Sequence, residues 1–367
     1  MSTRVKLGDV CDRGSSNLRQ SDVEGKTGDY PIYGAAGYIG NVDFYHQEKS
    51  YVAVVKDGAG IGRTTLLPAK SSVIGTMQYL LPKDNVLPEY LCYVVRYMHL
   101  EKYFSGATIP HIYFRDYKNE EFNLDDLSRQ AEVVDVLRRV EKMIEVRQKE
   151  LSALDDLIKA RFVEMFGDPD TNPMCWPERL LSEMLEVLGG YAFKSDGFSE
   201  VDGIPVLRIG NINAGFFKPV NMVFWEEDEA LERYAMYPGD LVMSLTGTVG
   251  KDDYGNVCIL GTDYSKYYLN QRNAKLELKE GLDKYYLSQL LRFEKIKKRL
   301  TGISRGVRQA NISNRDILGL KVPIPPIELQ QQFSIFVAQV DKSKVAVQKA
   351  LDEAQVLFDS LMLQYFG

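Results

Sequence analysis

The sequence predicts an α+β fold in which two globular α/β domains are separated by two long helices that form an antiparallel coiled coil. Apolar residues keep a heptad spacing through 125–166 and again through 325–367. Short β-type runs rich in Gly and Tyr precede each helical stretch. The end of the first half matches the end of the second, Gly167 on Gly367, which indicates a pseudo-twofold internal repeat.

The first helical stretch contains no Gly or Pro between residues 127 and 166. At about 1.5 Å per residue, its roughly 40 residues predict a rod of about 60 Å. Arg147 and Arg161 interrupt the apolar seam. The seam residues are Leu137, Val140, Ile144, Leu151, Leu154, Ile158 and Met165. A seam this long needs a partner to cover it.

The second helical stretch supplies that partner within the same chain. At an offset of 200, Gln130 falls on Gln330 and Leu151 on Leu351, and upstream Ile112 falls on Ile312. The second seam consists of Val337, Val340, Val347, Leu351, Phe358, Leu361 and Tyr365, with Lys344 and Ala354 as its weak points. The repeat favours an antiparallel pair, although a parallel pair satisfies the same pattern.

The rest of the chain divides into two globular domains, 1–124 and 179–324, and a Pro-rich linker, 167–178. In the first domain we expect strands within 29–45 and 50–68 and a helix over 88–104. In the second we expect strands within 204–212 and 239–250 and a helix over 284–300. The two domains align at their starts with an offset of 174, so the second carries insertions.

Bulk composition limits the class of protein. The net charge is −6, and no apolar run of about 18 residues or signal-peptide core is present. The four cysteines and three histidines are scattered. We therefore expect a cytosolic protein without a disulfide framework or a metal site.

Catalytic motifs are not evident in the sequence. Gly58, Gly60 and Gly62 follow a predicted strand, but their spacing fails the dinucleotide-binding fingerprint. The segment Asn172–Cys175 lacks the second Pro and the aromatic residue of an adenine methyltransferase motif. No phosphate-binding loop of the ATPase type occurs.

A basic segment at 279–315 predicts DNA contact. It carries ten basic and three acidic residues, a charge of +7 in an acidic chain. Lys297, Lys298 and Arg299 can neutralise DNA phosphates. The alternative interpretation is a basic helix that only faces solvent. The following loop contains side chains that can pair with base edges, namely Arg305, Arg308, Gln309 and Asn311. Its counterpart in the first domain contains Thr108 and His111.

Further candidates for DNA contact are polar residues near the ends of β runs, and each has an ordinary turn or surface residue as its alternative. In the first domain these are Tyr33, Tyr38, Lys56 and Arg63. In the second domain they are Arg208, Asn211, Asn213, Thr246, Thr248, Lys251, Asn270, Gln271 and Arg272.

The pattern resembles one known family, the DNA specificity subunit of Type I restriction-modification systems. The resemblance covers nearly the whole chain, and the order of its motifs, found twice, is more specific than any one motif. The motifs are Tyr30–Gly34, Gly37–Gly40, Pro238–Val242, Thr246–Gly250, Leu269–Arg272, Gly306–Ile312 and Val322–Gln331. One departure is that Asn123–Asp126 stands where the second half has Pro323–Pro326.

The resemblance implies a non-catalytic specificity subunit of a multi-subunit methyltransferase and endonuclease. Residues 1–124 and 179–324 would be two target recognition domains that each read half of a split double-stranded DNA site. Residues 125–166 and 325–367 would be spacer helices. Two methylase subunits would use S-adenosylmethionine and restriction subunits would use ATP, so the chain itself would hold no cofactor.

Three alternatives remain at this stage. A methyltransferase is disfavoured by the missing motif. A coiled-coil scaffold explains the helices but not two globular domains of similar order and different loops. A specificity subunit of a methylase-only system has the same sequence pattern.

Overall fold

The computed structural model describes residues 2–106, 110–213, 215–248, 251, 253–302 and 309–367. The chain divides into unit one, residues 1–150 with 347–367, and unit two, residues 151–346. Each long helix therefore contributes one part to each unit. The boundaries between the units fall inside the two long helices, so they do not test the predicted limits of the globular domains and spacer helices.

The globular part of unit one begins with a short strand, β1, and ends with another, β9. Its strands are β1 Thr3–Lys6, β2 Cys11–Ser15, β3 Tyr30–Gly34, β4 Gly37–Val42, β5 Tyr51–Val55, β6 Thr64–Leu67, β7 Ser72–Val73, β8 Met77–Pro82 and β9 Glu121–Leu124. Its helices are α1 Leu7–Val10, α2 Pro88–Tyr97, α3 Phe114–Tyr117 and the start of α4 Leu127–Phe166, with 3-10 turns at Gln20–Asp22 and Leu100–Tyr103.

In the described residues of unit one, three sheets form the globular part. The central sheet has the order β2-β8-β5-β6, and every residue of β5 is buried. A smaller sheet, β4-β3-β7, contains a parallel pair between β3 and β7. Strands β1 and β9 form an antiparallel ribbon that brings the ends of the globular part together. Helix α2, which starts at a favourable first-turn proline, packs on the central sheet.

Unit two repeats this plan. Its strands are β10 Glu178–Leu180, β11 Leu185–Gly189, β12 Ile204–Leu207, β13 Phe224–Trp225, β14 Ala235–Met236, β15 Leu241–Ser244, β16 Thr246–Thr248, β17 Val257–Ile259, β18 Tyr267–Leu269, β19 Asn273–Leu278, β20 Gln309–Asn311 and β21 Lys321–Pro323. Its helices are α5 Leu181–Met184, α6 Ile209–Ile212, α7 Lys284–Arg292, α8 Glu294–Thr301, α9 Asn314–Leu318 and the start of α10 Ile327–Phe366, with 3-10 turns at Ser195–Gly197 and Glu229–Tyr234.

The sheets of unit two correspond to those of unit one. The order β11-β19-β15-β17 repeats the central sheet, and the β10-β21 ribbon repeats β1-β9. The sheet β13-β12-β18-β14 again contains a parallel pair, between β12 and β18. The predicted internal repeat is therefore confirmed in the strand order.

The two long helices run antiparallel. In unit one the start of α4 packs against the end of α10, where Val134 and Leu137 share a core with Met362 and Phe366. In unit two the end of α4 packs against the start of α10, and the ring centroids of Phe162 and Phe333 lie 5.5 Å apart. The alternative of a parallel pair is thus excluded.

Two of the polar seam residues, Lys344 and Arg161, contact the opposite helix in unit two. Lys344 Nζ lies 2.7 Å from Asp155 Oδ1. The guanidinium of Arg161 lies 5.7 Å from the ring centroid of Phe336 and pairs with Glu164. The seam can accommodate these two cations because the aliphatic part of each side chain covers apolar surface while the charged group stays near water.

Three local predictions differ from the structure. The predicted strand 204–212 ends at Leu207, and α6 follows it because Asn211 accepts a hydrogen bond from the Arg208 backbone and closes the turn. The helix predicted over 284–300 is broken at Phe293, which has an extended backbone. The helix predicted over 88–104 ends at Tyr97, and His99 adopts a left-handed conformation.

A buried glutamine attaches each long helix to its own globular part. Gln130 is fully buried; its Oε1 accepts from Leu87 N at 2.8 Å, and its Nε2 donates to Asn85 O at 3.0 Å and Asp125 O at 2.8 Å. Gln330 makes the equivalent bonds to Asp283 N at 2.9 Å, Gly281 O at 3.3 Å and Pro325 O at 2.7 Å. We name these residues the glutamine clamps.

We expect Gln130→Ala and Gln330→Ala each to lower the free energy of unfolding by about 2 kcal/mol, since each leaves a part-buried backbone N–H without its acceptor and two carbonyls without their donor. The matched control is Gln148→Ala, an exposed helix position. Urea unfolding measures the loss, and hydrogen exchange locates it in the unit that carries the substitution. Equal stability of Gln130→Ala and Gln148→Ala would contradict a clamping role.

Candidate nucleic-acid interface

In unit two, strand pairing brings two predicted groups of residues together. Strand β16 pairs antiparallel with β20, and the register places Thr246 opposite Asn311 and Thr248 opposite Gln309. Ile312 N donates to Leu245 O at 2.8 Å and extends the pairing. Thr248 and Asn311 are exposed. The residues were predicted from separate motifs, so their meeting on one ribbon is a result of the fold.

Unit one has an equivalent pairing at the same place. Asp57 forms an antiparallel bridge with His111, and Ile112 N donates to Lys56 O at 3.0 Å. His111 Nδ1 lies against Asp57 Oδ1, and Lys56 Nζ lies 3.9 Å from Asp57 Oδ2. The pair Asp57 and His111 therefore corresponds to Thr246 and Asn311, with ionisable side chains in place of neutral ones.

A basic cleft of about 610 Å³ lies beside the β16-β20 ribbon. Its charged lining residues in the described chain are Lys251, Arg292, Glu294, Lys297 and Lys298. Four cations and one anion on one concave surface suit a polyanionic ligand such as a nucleic-acid backbone. Lys251 and Lys298 are exposed, and Lys298 Nζ also pairs with Glu294.

Lys297 takes a supporting position in this cleft. It is 9% exposed, and its Nζ donates to Asn256 Oδ1 at 2.6 Å. Asn256 in turn donates to Asn213 Oδ1 at 3.3 Å, and Asn213 donates to Asp253 O at 2.7 Å. These bonds connect helix α8 to the segment after β16. Lys297 and Asn213 therefore stabilise the side of the cleft.

Asp253 completes that connection. The backbone N of Thr248 donates to Asp253 Oδ1 at 2.7 Å, and this bond lowers the pKa of the Asp253 carboxyl. The carboxylate thus stays charged and fixes the end of β16. Gly247 packs closely against Asp253 and Tyr254, so a larger side chain would have to displace them.

A second cleft in unit two, of about 440 Å³, gathers another predicted group. Arg208, Asn211, Asn270, Gln271 and Arg272 line it together with Phe193 and Phe198. Arg208, Gln271 and Arg272 are exposed, and Arg208 also donates to Asn221 O. Aromatic walls with guanidinium and amide edges can contact both faces and edges of planar ligands.

Asn211 does not fit its predicted role as a DNA-contacting residue. It is 1% exposed, and its Nδ2 donates to Lys218 O at 3.0 Å and Val220 O at 2.9 Å. Its Oδ1 accepts from Arg208 N. Breaking these bonds would leave buried polar groups unpaired, so Asn211 shapes the turn that presents Arg208.

Arg299, expected to neutralise phosphate, instead pairs with the linker. Its Nη2 lies 2.6 Å from Asp170 Oδ1, and Lys295 Nζ lies 3.1 Å from Asp170 Oδ2. Arg299 first and Lys295 second hold the pKa of Asp170 below its ordinary value. The predicted Thr108, Arg305 and Arg308 lie outside the described residues, as does the side chain of Gln309.

The remaining candidates of unit one are Tyr33 and Tyr38, on the β3-β4 hairpin, and Arg63, at the end of the glycine-rich turn 58–62 that contacts this hairpin. Tyr38, on β4 beside the β3-β4 turn, is 62% exposed; its hydroxyl donates to Asn41 Oδ1, and its ring centroid is 6.0 Å from that of Tyr33. Arg63 donates to Ala35 O at 3.1 Å and so attaches the glycine-rich turn to this hairpin.

Two residues beside His111 in unit one, Tyr113 and Arg115, were not among the predicted candidates. Tyr113 is 42% exposed, its ring centroid lies 4.1 Å from that of His111, and the Arg115 guanidinium lies 4.5 Å from the Tyr113 ring. An aromatic residue between His111 and Arg115 was the available signal, because aromatic and guanidinium faces stack on bases and sugars.

Comparison with known proteins assigns the family. A family model described as the Type I restriction modification DNA specificity domain matches residues 2–155 and 173–354. The chain belongs to this family. Both halves of the chain are matched, in agreement with the internal repeat. The family assignment implies recognition of a DNA target, as the sequence motifs had indicated.

Relatives and solved structures agree with this specificity family. The chain is 26% identical over 332 residues to the Type I restriction enzyme MjaVIII specificity subunit of Methanocaldococcus jannaschii, covering 82% of this chain and 76% of the relative. Its fold matches the Type I restriction-modification S subunit of M. genitalium with a TM-score of 0.59 at 17% identity, over 100% of this chain and 96% of that one.

A second structural match comes from a study of complex assembly and conformational transition in the type I R-M system. The TM-score is 0.52 at 15% identity, over 99% of this chain and 97% of that chain. At these identities the likeness concerns the fold. Among the described residues, no helix is long and apolar enough to span a membrane, and no group of three His, Cys, Asp or Glu residues is placed to hold a metal.

The lowered pKa of Asp170 predicts an acid-sensitive linker. A carboxyl whose pKa is depressed by folding stabilises the protein above its unfolded pKa of about 3.9, and that contribution is lost as pH falls through the lower folded value. We expect the stability gap between the wild type and Asp170→Asn to shrink between pH 5 and pH 2, in urea titrations at each pH. Asp202→Asn, at an exposed position, is the control. A constant gap would contradict the ion-pair assignment.

Proposed function

We propose that this chain reads a bipartite double-stranded DNA target, one half with each unit, and positions methylase and restriction subunits on it. The observation that supports this most is the antiparallel pairing found at the same place in both units with changed side chains. Asp57 and His111 in unit one occupy the place of Thr246 and Asn311 in unit two. Equivalent positions with different hydrogen-bonding groups suit two readers of different half-sites.

Within each half-site, we assign phosphate and base contacts to different side chains. The exposed cations Lys251 and Lys298 line the basic cleft, and flexible ammonium groups suit phosphate oxygens. The amide of Asn311, on the neighbouring ribbon, can both donate and accept, as an adenine edge requires. Arg305 and Arg308 remain proposed base contacts, from their residue type and place in the sequence.

The enzyme activities belong, in this proposal, to partner subunits. Two methylase subunits per chain bind S-adenosylmethionine, and restriction subunits use ATP. The family assignment and the relative named as a specificity subunit support this division. A complex in which the methylase is present and no restriction subunit is recruited would identify a methylase-only system.

We further propose that the long helices set the number of unspecified base pairs between the half-sites. Each helix has 40 residues. Removal of one heptad shortens a helix by about 10 Å, which corresponds to about three base pairs of duplex.

The first test is the sequence of the methylated DNA. We expect the chain, co-expressed with its methylase subunit, to direct adenine methylation to a two-part motif, read by long-read sequencing. Exchange of residues 1–124 for those of another family member should change one half of the motif and leave the other unchanged. The methylase without this chain is the control. A change in both halves would contradict modular reading by two units.

A second test concerns the basic cleft. We expect Lys251→Ala to weaken binding of the assembled complex to specific and unrelated duplexes alike, and to reduce the slope of log affinity against log salt by about one. Lys279→Ala, which removes the same charge near Glu186 and outside the cleft, is the matched control. Loss of affinity for one sequence only would instead mark Lys251 as a base contact.

A further inference from the structure

The pairing of Asp57 with His111 restricts what His111 can do. His111 Nδ1 faces Asp57 Oδ1, and the side chains are 25% and 30% exposed. A carboxylate partner favours a proton on Nδ1 in the neutral ring, which leaves Nε2 as a hydrogen-bond acceptor. Among the described residues, none hydrogen-bonds to Nε2.

The orientation of the His111 ring is also determined by its neighbours. The ring packs against Tyr113, with centroids 4.1 Å apart, and Arg115 covers the Tyr113 ring. The backbone of His111 is held by two hydrogen bonds to Ser105: its N donates to Ser105 O at 2.9 Å, and its O accepts from Ser105 N at 2.8 Å. Side chains that read bases need this degree of positioning, because a misplaced acceptor loses its discrimination.

Lys56 adds a charge to the same place. Its Nζ lies 3.9 Å from Asp57 Oδ2, and both side chains are less than one-third exposed. The Asp57 carboxylate therefore stands between a cation and an imidazole. Its two oxygens are directed at protein groups, so Asp57 acts through His111 and is a positioning residue.

Unit two presents a different pattern at the equivalent positions. Asn311 is exposed and carries both a donor and an acceptor, and it stands opposite Thr246, whose hydroxyl is buried. Unit one thus offers one acceptor on a fixed ring, and unit two offers a donor–acceptor pair. In the major groove, an acceptor selects an exocyclic amino group, which cytosine and adenine carry.

We propose that His111, oriented by Asp57, accepts a hydrogen bond through Nε2 from the exocyclic amino group of a cytosine or adenine in the half-site read by unit one. This inference rests on the proposed function, since it assigns one base contact within that function. It makes His111 and Asn311 the corresponding specificity-determining residues of the two units.

The experiment uses the assembled complex of full-length chain and methylase on a duplex library randomised around the target. Methylated molecules are sequenced, and the base preference is obtained at each position. For Asp57→Thr with His111→Asn, which places the unit-two pair in unit one, we expect the preference at one or more positions of one half-site to change about tenfold or more. Preferences in the other half-site stay as in the wild type.

A second variant separates orientation from folding. Asp57→Asn keeps the shape of the side chain but no longer selects the Nδ1-protonated ring. We expect weaker discrimination at the same position and unchanged preferences elsewhere. The matched control is His99→Asn in the same unit, where an exposed histidine pairs with Glu101 and has a positive φ that Asn adopts readily.

The outcomes separate this inference from the function on which it rests. If the wild-type complex shows a two-part motif and both Asp57 variants keep every preference, even with reduced total methylation, the inference is overturned and the proposed function stands. A change in the half-site read by unit two also overturns it. If the wild-type complex has no two-part motif, both the inference and the proposed function fail.

Discussion

Burial of the two apolar seams is the interaction on which the rest of the structure depends. Neither α4 nor α10 can cover its own seam, and an isolated amphipathic helix of this kind would expose it to water. The antiparallel pairing places the start of one helix beside the end of the other within each unit, with Leu137 near Phe366 and Phe162 against Phe333. Each globular part then packs on a two-helix surface rather than on a single rod.

The repeat extends from this pairing down to individual hydrogen bonds. The glutamine clamps use the same three kinds of bond in both units, and each accepts from the residue directly before a helix, α2 in unit one and α7 in unit two. Conserved scaffold geometry between the units contrasts with the changed residues on the ribbons. The two units share their strand order and helix attachment but differ in the side chains of the paired segments. This is expected where loops on a rigid scaffold carry recognition.

Much of this organisation could be predicted from the sequence because it depends on periodic patterns. Heptad spacing indicated both helices, and the match of Gln130 with Gln330 indicated the repeat. Side-chain roles were harder to predict. Asn211 and Arg299 have residue types typical of DNA contact. In the structure, the Asn211 side chain hydrogen-bonds within a buried turn, and Arg299 forms an ion pair with Asp170. Such competition between partners depends on three-dimensional proximity, which neither composition nor spacing specifies. The break at Phe293 has the same origin, since its ring packs against Phe162.

Unit one joins residues 1–150 with residues 347–367, two segments separated by all of unit two. During synthesis, the first globular part leaves the ribosome long before the helix that completes its core. Met362 and Phe366 belong to that core, so the surface they cover stays open through the translation of nearly 200 further residues. Unit two consists of contiguous residues, so no such interval separates the parts of its core. The interval before unit one closes is when chaperones and early-binding partners can reach its apolar surface.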